Sequence, residues 1–289
     1  MKLRKGVAIA AIAKNEGKFI AEWVAFHLSI GFDRIIVYVN DSEDDTETIL
    51  RTLSQHYPVE CVSWPSGDFR SPQRAAYAEA IETTKDCEWV AFIDIDEFLV
   101  PWKDGSIGAY LARAPEDATA IGVNWRMFGS SGRTTDDYDS VLHAFRRCSR
   151  PDFDFNNHIK TIARIDALAD MFIHHATLRY GRAVNAAFAP LVLPTLGRME
   201  KPVYAGIHVA HYQSKTLGEF LARRAKGNAN FNPRHTSHVR AANEKGFRYV
   251  DRNEKLDIRL DSFLPGFDAK FAEIKAVLTD AGVYPRQTR

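Results

Sequence analysis

Cysteine is scarce in this sequence, no apolar run is long, neither sign of charge prevails and no segment repeats. The three cysteines, Cys61, Cys87 and Cys148, are odd in number, far apart and without C-x-x-C spacing. That excludes a disulfide framework and a compact zinc site, and points to a reducing compartment. No stretch nears the ~18 uninterrupted apolar residues of a spanning helix. The expectation is a cytoplasmic, soluble chain, at most in peripheral contact with a membrane. Thirty-eight Lys plus Arg against thirty-seven Asp plus Glu leave a net charge of +1, too little for a broad nucleic-acid footprint. Any anionic partner must therefore be held by a local cluster. With no repeat or obvious linker in 289 residues, one elaborated domain is expected rather than two independent ones.

What is present is alternation. Lys2, Arg4 and Lys5 before the apolar run Gly6 to Ala13 imitate a signal peptide, but the run is short and continues into patterned sequence, so Val7 to Ala13 reads as a buried first strand. From Glu16 to Ile30, apolar residues recur at three- and four-residue spacings, predicting a helix that Gly31 ends. Arg34 to Val39, Val59 to Trp64 and Trp89 to Ile93 read as further strands, with helices through Ile49 and Leu53 and over Ser71 to Thr84 between them. Strands alternating with helices of this length predict β-α-β units and a mostly parallel sheet. Later, Ala118 to Trp125, Ile159 to Ile165 and Ala205 to Tyr212 read as strands and Thr216 to Lys226 as a helix. Ser130 to Asp139 and Pro151 to Asn157 are loop-like, and the tail from His235 to Arg259 is polar.

The most informative segment is WVAFIDIDEFL, Trp89 to Leu99. Ligands of open parallel sheets bind beyond the carboxyl ends of the strands. In extended backbone Asp94 and Asp96 point the same way, and converging carboxylates favour a cation between them, Mg²⁺ or Mn²⁺ for oxygen ligands. Both side chains are expected to face solvent. The plainer reading is an acid-capped strand end. A D-x-D after an apolar strand also opens phosphohydrolases of the haloacid dehalogenase type, but there it stands near the chain start, and here three strands precede it.

The order of motifs resembles nucleotide-sugar glycosyltransferases of the GT-A fold, related to family 2. The matching residues are Lys14-Asn15-Glu16, Glu22-Trp23, His27, Gly31, the turn Asn40 to Thr46, Gln73 and the block Asp94 to Phe98. Asn124-Trp125, Phe128 to Gly132, His211-Tyr212, Lys215 and Glu219-Phe220 follow. The resemblance spans about residues 6 to 227 and implies an α/β, Rossmann-like, mostly parallel sheet flanked by helices, with an elaborated C-terminal half. Residues 1–230 would form the domain, 1–100 binding nucleotide and 101–230 the acceptor while completing the metal site, and 231–289 a C-terminal extension.

The implied activity moves a sugar from a nucleotide-diphosphate donor to a saccharide or glycoconjugate hydroxyl with Mn²⁺ or Mg²⁺. A non-catalytic sugar-binding scaffold is the other alternative. By resemblance, Lys14, Asn15, Glu16, Asn40, Asp41, Asp44, Gln73 and Asp94 bind nucleotide, and Asp94, Asp96 and His211 hold the metal. Many relatives end the second strand on an Asp that binds the base; Val39 stands here instead, leaving the base open. Asp41, Ser42 and Asp44 also suffice as a helix cap with first-turn acids. Lys215 is the candidate for neutralising the diphosphate, whereas Arg223, Arg224 and Lys226 read equally as a solvated basic face. Asp154 is the candidate base for an inverting transfer, with Asp152, His158, His174 and His175 as rivals. The Gly129 to Gly132 loop is expected to let backbone approach sugar or acceptor, or to be a tight turn.

Overall fold

The buried strand β1 (Val7–Ala13) alternates its side chains between two helical layers. Ile9 and Ala11 pack in one layer and Ala8 and Ala10 in the other, beside Tyr77 and Ala80. Being apolar on both faces, it reads as a continuous run. The computed structural model describes residues 6–225 and 243–283. After β1 come α1 (Ile20–Ser29), β2 (Arg34–Val39), α2 (Thr46–Leu53), β3 (Val59–Ser63), α3 (Pro72–Thr83) and β4 (Trp89–Phe92). Their strands stand in the order β3-β2-β1-β4, all parallel, which helical crossovers allow and hairpins do not.

The remainder comprises β5 (Glu97–Val100), α4 (Ile107–Leu111), β6 (Ala118–Met127), α5 (Val141–Ala144), β7 (Arg147–Cys148), β8 (Ile159–Arg164), β9 (Leu168–Met171), β10 (Ala176–Leu178), β11 (Arg182–Asn185), β12 (His208–His211) and α6 (Leu217–Ala225). Beyond residue 242 follow α7 (Glu244–Val250), β13 (Lys255–Leu256) and α8 (Leu264–Asp280). Strand β8 lies antiparallel between β4 and β6. The far edge of β6 is shared in parallel by β11, along its first half, and β12, along its last three residues, with β5 antiparallel against β12. The fold is a nine-stranded, mostly parallel sheet flanked by helices.

Three differences from the sequence-based expectation have local causes. Helix α1 starts at Ile20 because Glu16 to Phe19 form a turn in which the Glu16 carbonyl accepts the Phe19 and Ile20 amides. Asp94 to Asp96 is not extended: the Glu97 amide donates to the Asp94 carbonyl at 3.1 Å, and the chain turns back as β5. The last helix, α8, packs on α1 and α2, burying Phe267, Ile274 and Leu278. With the sheet on one side and α8 on the other, α1 is buried from Ile20 to His27. Lys226, His235 and the extension residues 231–242 and 284–289 lie outside the described residues.

Candidate active site

The carboxyl ends of β1 and β2 carry residues 14–17 and 40–46, and these loops bind each other. The Asn15 amide donates to Ser42 Oγ at 3.0 Å, the Glu16 amide to Thr46 Oγ1 at 2.8 Å and the Gly17 amide to Asp44 Oδ2 at 2.8 Å. In return the Glu43 amide donates to Asn15 Oδ1 at 2.7 Å, and Asp44 Oδ1 accepts from the Thr46 amide and hydroxyl. Asn40 is buried with Nδ2 donating to the Trp64 carbonyl and Ser66 Oγ, and the Asp41 carboxylate accepts the Ser66 amide. Asn15 and Asp41 adopt left-handed backbone, φ 52° and 45°, which short polar side chains tolerate. Such conformations persist where the surroundings over-determine them. One rim thus gathers Lys14, Asn15, Glu16, Asn40, Asp41 and Asp44, with Asp44 acting as a clamp between its loops.

The turn after β4 is built otherwise. Because Asp94 and Asp96 flank a tight turn, their carboxylates face different partners. Asp94 Oδ1 accepts from Gln73 Nε2 at 2.8 Å, and Asp94 Oδ2 lies 2.9 Å from the ammonium of Lys160. Asp96 Oδ2 lies 2.8 Å from Arg223 Nη2 and 3.4 Å from His211 Nε2. The expectation that both carboxylates face solvent is corrected: the Asp96 side chain is 5% exposed and that of Asp94 30%. Glu97, fully buried, accepts the Asp94 amide at 2.9 Å and lies 3.4 Å from Lys160. Burial pushes the Glu97 carboxyl up despite Lys160. Against the same burial, Lys160 draws Asp94 down and Arg223 with His211 holds Asp96 well down.

Two of these residues are not singled out by the sequence pattern. Lys160 sits within β8, whose sequence IKTIAR is otherwise suited to burial, and a Lys at an inward strand position demands a counter-charge. That demand is the signal that could have found it. Arg223 looks like one basic residue among several on α6, and nothing local separates it from Arg224. Lys215 is buried at φ 46°, its Nζ donating to the Tyr212 carbonyl at 3.1 Å and lying over the Phe19 ring. Burial pushes its ammonium down, against the field of Asp96 and Glu16.

Trp125 joins three histidines. His158 stacks on it at 4.6 Å, and His211 and His174 meet it edge-on at 4.3 and 5.3 Å between centroids. Burial lowers His158 to about 4 and His174 to about 3, so both are neutral near pH 7. His175 instead stacks on Phe172. Asp152 and Asp154 are exposed; Asp154 Oδ1 accepts from the Tyr249 hydroxyl, and no hydrogen bond or ion pair among the described residues joins it to Asp94 or Asp96. The Phe128 to Gly132 loop is covered by the chain's own C-terminal segment. The Ser130 and Ser131 amides donate to Asp251 and Asn253, and a Cβ on Gly129 would meet the Arg252 carbonyl. The glycine is thus required for that crossing.

Among the described residues, no group of three or more His, Cys, Asp or Glu side chains is arranged to hold a metal ion. The donors nevertheless fit one in part. His211 has both ring nitrogens buried without a hydrogen-bond partner among the described residues and stands 3.4 Å from Asp96 Oδ2, which Arg223 pairs at 2.8 Å; carboxylate plus neutral imidazole suits Mn²⁺. Asp94 is turned away to Gln73 and Lys160.

The sheet order, the rim of paired loops and the buried acidic turn define an α/β protein with a polar site at the carboxyl edge of its sheet. The sequence matches the model of glycosyltransferase family 92 over residues 6–245. The chain belongs to that family. The motif order that resembles family 2 relatives is therefore carried by a family 92 chain. A glycosyltransferase family 92 protein of Oryza sativa subsp. japonica is 33% identical over 187 residues, covering 61% of this chain and 30% of the relative. One of Ricinus communis is 32% identical over 202 residues, covering 65% and 34%. The chain thus spans about a third of the length of these curated relatives. Among solved structures, glucosyl-3-phosphoglycerate synthase of Mycobacterium tuberculosis, in complex with Mn²⁺, UDP and glucosyl-3-phosphoglycerate, is 20% identical over 57% of this chain and 58% of that one, with a TM-score of 0.35.

Proposed function

We propose that this chain transfers a sugar from a nucleoside-diphosphate sugar to a saccharide or glycoconjugate hydroxyl, with Mn²⁺ or Mg²⁺ held by Asp96 and His211. The observation that carries this is the buried Asp96 carboxylate, whose Oδ2 is faced by His211 at 3.4 Å and Arg223 at 2.8 Å, next to family 92 membership. The cation supplies Lewis acidity toward the departing diphosphate. Arg223 and Lys215 add fixed positive charge where the leaving group becomes more negative. Gln73 and Lys160 hold Asp94 in one orientation on the donor side, beside the rim formed by Lys14 to Glu16 and Asn40 to Asp44.

The acceptor's proton needs a base. Asp154 is the carboxylate candidate, oriented by Tyr249; His174, in the field of Asp94, is a weaker rival because burial lowers it to about 3, far below the pKa suited to a base near pH 7. All three cysteines are unpaired thiols, which fits a reducing, cytoplasmic setting. Among the described residues no helix is long and apolar enough to cross a membrane.

Incubation with a panel of nucleotide sugars and Mn²⁺ tests the reading. Release of nucleoside diphosphate, by transfer or slow donor hydrolysis, is expected. Release of inorganic phosphate from phosphomonoesters would favour a D-x-D phosphohydrolase, and binding without turnover a scaffold.

A further inference from the structure

Three carboxylates, Asp94, Asp96 and Glu97, face three basic side chains, Lys160, Lys215 and Arg223, around one turn. Two of the basic groups are buried. The Lys160 side chain is 1% exposed between two carboxylates. Lys215 is buried against the Phe19 ring with its ammonium on the Tyr212 carbonyl. Arg223 differs: its side chain is 29% exposed while the Asp96 it pairs with is 5% exposed. Its Nη2 pairs with the buried Asp96 carboxylate at 2.8 Å while part of its side chain reaches solvent, and it sits near the end of α6. The start of that helix is tied by Glu219 to Lys18, Tyr138 and Thr216.

Building on the reading that the site takes a nucleoside-diphosphate sugar, we infer that Arg223 is a resident counter-cation that keeps divalent metal off Asp96 until a diphosphate arrives. Asp96 Oδ2 already has a full positive charge at 2.8 Å, so a dication entering alone must share that oxygen with a guanidinium and meets repulsion. A diphosphate changes the balance. It brings negative charge for the metal and an oxygen array that a guanidinium fork binds as readily as a carboxylate. Arg223 would then move from Asp96 to the phosphates, leaving the Asp96 carboxylate free to hold the metal. No bond is made or broken; one ion pair is exchanged for another. Metal and nucleotide binding become mutually dependent, with coupling equal in both directions.

Titration of Mn²⁺ into the nucleotide-free protein reads the first half directly, by calorimetry or by the spin signal of free Mn²⁺. Arg223→Gln should bind Mn²⁺ about tenfold more tightly than wild type, the size expected for removing a close like charge. Adding Asp96→Asn to that variant should abolish the gain. Arg223→Lys, which keeps the charge but not the fork, should leave nucleotide-free Mn²⁺ affinity near wild type while weakening UDP binding at saturating Mn²⁺. Equal or weaker Mn²⁺ binding by Arg223→Gln overturns the inference, as does a gain that survives Asp96→Asn. The metal titration needs no nucleotide, so a protein that binds none of UDP, GDP, ADP, CDP or TDP would refute the proposed donor while the role of Arg223 is still decided by the two Mn²⁺ affinities.

Discussion

In the turn after β2, Asp44 gives both carboxylate oxygens to backbone amides and a threonine hydroxyl, whereas in the turn after β4, the buried Asp96 carboxylate meets Arg223 at 2.8 Å and His211 at 3.4 Å. Both turns are acidic, and both stand at the carboxyl edge of the same sheet. The first is closed on itself: amides of one loop meet side chains of the other. The second is held by charge, with Lys160, His211 and Arg223 arriving from β8, β12 and α6. Acidic residues that close loops and acidic residues available for chemistry look the same in sequence; the source of their partners separates them.

The difference can be broken by mutation, and the largest effect is expected at Lys160. Lys160→Met leaves Asp94 and Glu97 without their shared cation in a buried place, and removing one partner of a buried pair costs about 3–5 kcal/mol. Urea unfolding at pH 7.5 measures it, and a loss below about 1 kcal/mol would mean that the carboxylates relax into water. Next comes the clamp. Asp44→Ala strips the Gly17 and Thr46 amides of their acceptor and should lower stability by about 2–3 kcal/mol, with earlier proteolysis at residues 14–17.

A smaller effect comes from pH. His27 lies behind the second turn, its Nε2 accepting the Leu99 amide and its Nδ1 donating to the Trp23 carbonyl. Burial lowers it to about 3 from 6.5. Between those values the unfolded chain binds more protons than the folded one, so the stability is present above pH 6.5 and is lost as pH falls toward 3. By pH 5 the loss should be about 2 kcal/mol, and His27→Gln should flatten the slope of the urea midpoint over that range. An unchanged slope would show that other buried histidines carry the dependence.

Much of this arrangement is legible in sequence and some is not, for identifiable reasons. Strands β1, β2 and β4 announce themselves because burial on both sides of a parallel sheet writes continuous apolar runs, while edge strand β3 buries only Val59. Strand β5 is hidden because Glu97-Phe98 reads as the tail of the D-x-D, and period-two reasoning fails once Asp94 to Asp96 form a turn. The resemblance names Asp94, Asp96 and His211 together; the structure sets Asp96 beside His211 at the ends of adjacent strands and turns Asp94 to Lys160. Arg223 cannot be picked out, since its distinction from Arg224 is set by how α6 docks. The use of Gly129 by residues 251–253 depends on a contact across more than 120 positions, beyond any local pattern.

If the two acidic turns have different jobs, one paired experiment shows it most directly. With a nucleotide sugar that the wild type turns over, kcat, KM and melting temperature are measured for Asp96→Asn and Asp44→Asn. Asp96→Asn should lower kcat by about 100-fold or more with the melting temperature little changed. Asp44→Asn should lower the melting temperature and raise the donor KM while kcat stays within about threefold. Near-normal kcat in Asp96→Asn, or a collapse of kcat in folded Asp44→Asn, would contradict that division of labour.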